Sequence, residues 1–371
     1  MRSAGKTSSE RPEMTITEQK TDTDITASEA RAAAQRIAFG PVLFQACQTM
    51  RRNGLFDALR RGRQAGSTEV ELLAATALSP YGLRVLLDIT LTSDVVWQQD
   101  DRYGLTKTGH MLASDEMTRV NLDFVDDVCY AGLQHLEESI REGKPAGLRE
   151  LGPWKTVYEG LAHLPAAVRK SWFEFDNHYS DRSYPAALPI VFRERPGTIM
   201  DVGANNGKWS LACLQHDPQV RMIAVDLPGQ LRDLERNLTA AGMSHRVDLR
   251  PTDMLDPTST LPSGADVIWM SQFLDCFGED EVVSILRKAH TAMAPHSALY
   301  IMETFIDRQR FEAGAFSLAA TSLYFTAMAN GNSRMYRAEH FEPLVEQAGL
   351  RITERIDDLG LGHSLLRCVR P

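Results

Sequence analysis

The chain has 371 residues, with 40 Lys and Arg against 49 Asp and Glu, a net charge of −9. That acidic balance excludes a nucleic-acid coat and a polybasic membrane binder, both of which need clustered positive charge. Its length suits two domains, its 43% hydrophobic content suits a core without staples, and its five cysteines contain no CxxC, which excludes a disulfide framework and a zinc ribbon and points to a reducing, cytoplasmic setting.

Residues 1–25 are mostly polar and charged, so they bury too little to offset ordering entropy and read as a disordered tail. Met14 competes with Met1 as the true start. The N-terminus has no apolar signal-peptide run, and no stretch of about 18 apolar residues predicts a membrane span.

Residues 26–115 read as a helical domain with a wing. Ala27, Ala30, Ala34 and Ile37 recur at three- and four-residue steps, and after Gly40-Pro41 the rhythm resumes with Leu43, Cys47 and Met50. LFDAL (55–59) follows. STEVELLAATAL (67–78) predicts a helix capped by Ser67, without a capping box because Val70 stands three residues on. Ser79-Pro80 starts the next helix, and residues 95–112 predict a hairpin turning at Asp100-Asp101. Three helices and a two-stranded wing make a winged-helix unit. Its recognition-helix equivalent, 80–88, has Arg84 as its sole basic residue. A DNA reader needs several phosphate and base contacts, so dimer contact is the expected role.

Residues 116–195 read as further helices, including the aromatic segment SWFEFDNHYSDRSYP (171–185). From residue 196 strands and helices alternate, the signature of a parallel sheet covered on both faces. RITERIDDL (351–359) and HSLLRCVR (363–370) predict a closing hairpin that adds one antiparallel strand. The fold class is therefore α/β, a Rossmann-like seven-stranded sheet behind a mostly helical domain.

The first of these strands runs into Asp201-Val-Gly203-Ala-Asn205-Asn206-Gly207-Lys208. A nicotinamide enzyme uses G-x-G-x-x-G, but positions 205 and 208 are Asn and Lys. Asn205 stands where glycine is usual, and Asn tolerates positive φ. The spacing D-x-G-x-x-x-G resembles motif I of class I S-adenosylmethionine (SAM)-dependent methyltransferases. Asp226, 25 residues on, ends the second strand, where a carboxylate accepts ribose hydroxyls. Asp253-Met254 ends the third and suits an adenine amino group and ring face. Ser271-Gln272 ends the fourth, near the amino-acid end of SAM. Each alone also reads as a cap or surface turn.

LFDAL, Leu105–Gly109, DVGANNG, VDLPG (225–229), TDM (252–254) and FEPLVEQAGL (341–350) together resemble the small-molecule O-methyltransferase family of plants and bacteria, over about residues 30–371. The resemblance implies a homodimer built on the winged-helix domain and SAM as cofactor. It places Gly203, Asp226, Leu227, Asp253, Met254, Ser271 and Gln272 against SAM, with Phe277 flanking the adenine. Where the family has a catalytic His, this chain has Asp275, and Ser333 replaces an assisting Glu.

Three roles for Asp275 follow: a general base for O-methylation, a group that orients a hydroxyl or takes a carbon-bound proton in C-methylation, and a helix N-terminal acid stabilised by the dipole. His178 is the other candidate base, against a packed core histidine. Phe175, Phe273, Tyr324, Phe325 and Met328 are candidate walls of an aromatic-substrate pocket, against a plain core. No His/Cys/carboxylate cluster has metal-ligand spacing, so no metal is expected. A non-catalytic SAM-binding partner subunit, a winged-helix regulator, and a relative keeping SAM for hydroxylation or decarboxylation stay open.

Overall fold

The computed structural model describes residues 25–371, so the tail expected over 1–25 lies almost wholly outside the described residues. The chain divides into two compact units at Asp126/Asp127. This boundary splits the helical segment 116–195: its first helix, Glu116–Phe124, belongs to the first unit and the remainder to the second.

The first unit is the expected winged helix. Helices Ala27–Ala38, Gly40–Arg52, Leu55–Arg61, Glu69–Ala75 and Pro80–Thr92 precede a hairpin, Val96–Gln99 with Arg102–Leu105, that turns at Asp100-Asp101. Its core gathers Met50, Leu55, Phe56, Leu59, Leu83, Leu87 and Val96. The cap of Glu69–Ala75 corrects the sequence reading. Ser67 and Thr68 form a short third strand beside Tyr103 and Arg102. The strand moves the helix start by one residue, so Thr68 is the N-cap and Glu71 completes a capping box. On Pro80–Thr92 the lone base Arg84 is held by two hydrogen bonds to Glu69 Oε2 of 3.0 and 3.1 Å. Ile37, Phe39, Val42, Val70 and Tyr81 leave an apolar surface exposed.

The second unit carries the seven-stranded sheet. We number its strands β1 (Thr198–Val202), β2 (Arg221–Asp226), β3 (Val247–Pro251), β4 (Val267–Ser271), β5 (Ala298–Glu303), β6 (Arg351–Leu359) and β7 (His363–Val369). Their spatial order is β3-β2-β1-β4-β5-β7-β6. Only β7 runs antiparallel to its neighbours, as the closing hairpin predicted. The inner strands are apolar almost throughout because helices cover both faces. Met200, Val202, Ile268 and Met270 face one core, with Val282, Leu286 and Phe341. Ile199, Ala224 and Trp269 face the other, with Trp209, Leu214 and Leu234. Strand order reverses between β1 and β4, so a crevice opens at their carboxyl ends, where such sheets take ligands. Among the described residues no single helix is long and apolar enough to cross a membrane.

Candidate active site

The turn after β1 is built for close approach. Gly203 has φ +78°, and a Cβ there would lie 2.3 Å from the Phe273 ring. Gly207 has φ +84° and would meet Leu234 at 2.7 Å. Asn205 has φ +47°, as its type allows. Only a backbone without side chains at 203 and 207 fits here. Asp201 lies beneath the turn, fully buried, and accepts the Ser210 hydroxyl at 2.7 Å. Burial pushes its carboxyl up to about 7.

Asp226 ends β2 and accepts the backbone N–H of Asn205 at 2.7 Å and of Leu227 at 2.6 Å. Burial outweighs those bonds and raises it to about 6. Asp253 is exposed and takes the Leu255 N–H at 2.9 Å, while Met254 is buried. At the end of β4, Ser271 Oγ and Gln272 Oε1 are buried without a hydrogen-bond partner. Gln272 is held at φ +45°. Two glycines at positive φ after β1, a carboxylate ending the neighbouring β2 and two orphaned polar atoms ending β4 on the other side form a cradle that fits a nucleoside with an amino-acid tail.

The loop after β4 carries Asp275, which is 4% exposed. Burial raises its carboxyl, and the charge of Asp176 adds to the rise. The Cys276 thiol lies 3.5 Å from Asp275 Oδ1. The following helix, Glu279–Ala292, is capped by Glu281, which accepts the Gly278 N–H at 2.8 Å. Asp275 therefore stands before the cap, in the 3-10 turn Leu274–Cys276.

Two acids escaped the sequence reading. Glu303, ending β5, is 2% exposed, and its Oε1 accepts the N–H groups of Phe273 (3.1 Å) and Leu274 (2.9 Å) while Oε2 has no partner. Burial and the Asp275 charge drive its carboxyl upward. Asp176, on the helix Ala166–Ser180, accepts the side-chain amide of Asn205 at 3.2 Å and is raised by burial to about 6. It lay unnoticed between Phe175 and His178 in the aromatic segment. Glu303 ends a wholly buried strand, a position that draws attention only once its neighbours are known.

The candidate substrate residues separate. Phe273 leans on Gly203 and meets Phe277 edge-on at 4.9 Å, so it packs on the turn after β1. Phe175 and His178 both pack against Tyr179, at 5.1 and 5.3 Å, Phe175 half-buried and His178 buried. Tyr324 and Phe325 are buried, and the Tyr324 hydroxyl accepts the Trp172 indole N–H at 2.7 Å. Met328 is fully buried in a slot made by Gly132 and Gly147. This packing occupies its sulfur. Ser333 is likewise buried, on Asn330 Oδ1 at 2.8 Å.

Residues 31–103 match the Dimerisation2-like domain, and residues 189–351 match the O-methyltransferase domain. The L-tyrosine C(3)-methyltransferase of Streptomyces lavendulae is 24% identical over 327 residues, 86% of this chain and 87% of that protein. The 3-amino-4-hydroxybenzoate 4-O-methyltransferase of Streptomyces cremeus is 25% identical over 325 residues, 83% and 82% of the two chains. Among solved structures, the SAM-dependent methyltransferase SibL superposes with a TM-score of 0.70 at 23% identity, covering 91% of this chain and 99% of its own. The chain carries a dimerisation domain and an O-methyltransferase domain of the SAM-dependent class.

Proposed function

We propose that this chain, a SAM-dependent methyltransferase by its domains, methylates the phenolic oxygen of an aromatic small molecule in secondary metabolism, with Asp275 as the general base. The observation that carries the reading is the buried carboxyl of Asp275 in the segment after β4, two residues from the Phe273 ring that packs on Gly203 of the turn after β1.

When bound, the cofactor supplies the methyl group and a sulfonium leaving group. The chain's own residues do the rest. The turn at Gly203 and Gly207 admits the cofactor, and Asp226 takes the ribose hydroxyls. Asp253 and Met254 receive the adenine, Phe277 flanks it, and Ser271 and Gln272 hold the amino-acid end. Alignment of acceptor and methyl in a closed site supplies several kcal/mol (up to ~7–11 in the best-oriented systems). The sulfur would leave with the electron pair of its bond to the methyl carbon as the acceptor oxygen bonds to that carbon, and Asp275 would take the phenolic proton. A phenol with a pKa near ~10 is a poor match for an ordinary carboxylate near ~3.9, and burial narrows the gap.

A second reading is methylation of a ring carbon beside the hydroxyl. It is favoured by the carboxylate at 275 and by the long match to a tyrosine C(3)-methyltransferase. In that case Asp275 orients the hydroxyl or takes the ring proton. The dimerisation domain and the exposed apolar side chains of the first unit support a homodimer, and the free cysteines suit the cytoplasm.

Incubating the enzyme with methyl-labelled SAM and a panel of phenolic acids and phenols, followed by mass spectrometry, tests both readings. Labelled methyl on oxygen supports the first, and on carbon the second. Asp275→Asn should lower kcat by about 10²–10⁴ with SAM affinity retained. Near-wild-type turnover in that variant removes Asp275 from the chemistry.

A further inference from the structure

Asn205 occupies a backbone conformation that glycine adopts without strain, φ +47°. Asparagine also adopts it, and its side chain can do there what glycine cannot. Here the side-chain amide donates to Asp176 Oδ2 at 3.2 Å, while the backbone N–H of the same residue donates to Asp226 at 2.7 Å. One residue thus joins the carboxylate that ends β2 to the helix Ala166–Ser180. A second tie lies further on: Lys208, where the helix Lys208–His216 begins, meets Asp181 at 2.5 Å. That ion pair is about one-third exposed on both sides and screened by solvent. The same helix carries Phe175, His178 and Tyr179, and through Trp172 it bonds to Tyr324. The link therefore runs from the cofactor turn to the aromatic groups expected to face the acceptor.

We propose that Asn205 and Asp176 are positioning residues through which an occupied cofactor turn fixes the helix Ala166–Ser180, so that cofactor binding precedes and completes the acceptor pocket. The inference rests on the cofactor assignment above and adds to it an order of events. A ligand that orders the turn orders whatever the turn holds, and the coupling is reciprocal.

Hydrogen exchange on the full chain tests the link, with S-adenosylhomocysteine as the probe. In the wild-type protein the probe should slow exchange at residues 203–207 and, by about tenfold, at residues 170–180. Asn205→Gly suits the same φ and keeps the turn, so its response at 203–207 should persist while that at 170–180 falls below about twofold. Asp176→Asn keeps an oxygen that accepts the same amide and should respond like wild type. Asp176→Leu should behave like Asn205→Gly. An unchanged helix response in Asn205→Gly, or an Asp176→Asn response as weak as that of Asp176→Leu, overturns the link. So does a wild-type turn that responds without the helix. A wild-type turn that itself ignores the probe refutes the cofactor assignment instead, and the link falls with it.

Discussion

Gly203→Ala puts the cofactor turn to a quantitative test. At φ +78° an L-residue costs about 1–2 kcal/mol of backbone strain. The new Cβ would sit 2.3 and 2.7 Å from two carbons of the Phe273 ring. The ring must move, yet it lies between this turn and Phe277. Overpacking of that kind costs about 1–3 kcal/mol more, for a sum of roughly 2–5 kcal/mol. If the turn relaxes away when empty and must return to bind, the affinity for S-adenosylhomocysteine falls by roughly 30-fold or more, at about 1.4 kcal/mol per tenfold. Gly143→Ala is the control, since φ is +63° but nothing lies within 4 Å. It should cost only the backbone share in stability and nothing in affinity. Adding Phe273→Ala to Gly203→Ala should recover the ring share and leave the φ share. Calorimetry of binding and urea unfolding of the four proteins provide the numbers. Gly203→Ala with wild-type affinity and the mild stability loss of the control would refute the close-packed turn.

Two further outcomes follow from burial and capping. Asp201, Asp176 and Asp226 are raised to about 7, 6 and 6 by burial, above an unfolded value near ~3.9. The folded protein thus binds more protons than the unfolded one, so stability falls as pH rises through these values; urea unfolding at pH 6.5 should exceed that at pH 8 by at least about 1 kcal/mol, since the raised carboxyls of Asp275 and Glu303 act in the same sense, and a rise toward pH 8 would contradict the assignment. His363, held neutral by burial with its value lowered to about 4, acts in the opposite sense only below its unfolded value near ~6.5. Thr68→Ala should destabilise the protein by about 1 kcal/mol through loss of the capping box, and thermal unfolding should show a smaller loss for Ser67→Ala if the structure's cap is the correct one.

Much of this protein is legible in its sequence for local reasons. Strand and helix rhythm is a property of neighbouring residues, so the alternation after residue 196 and the closing hairpin could be read directly. The turn after β1 is continuous from Asp201 to Lys208, Asp226 and Ser271 end β2 and β4, and Asp253 lies two residues beyond β3. The cap at Ser67 was misread by one residue because the deciding contact is the pairing with Tyr103, 36 positions away.

The acids around Asp275 show the other side. Asp176 lies 99 residues before it and Glu303 lies 28 after, and nothing in their own segments sets them apart from surface carboxylates. Chain order alone showed a carboxylate at 275. Only the packed sheet, by ending β5 beside the loop after β4 and laying the aromatic helix on the cofactor turn, decided which carboxylates lose their water together. Desolvation belongs to the assembled neighbourhood of a group, and one-dimensional spacing does not carry it.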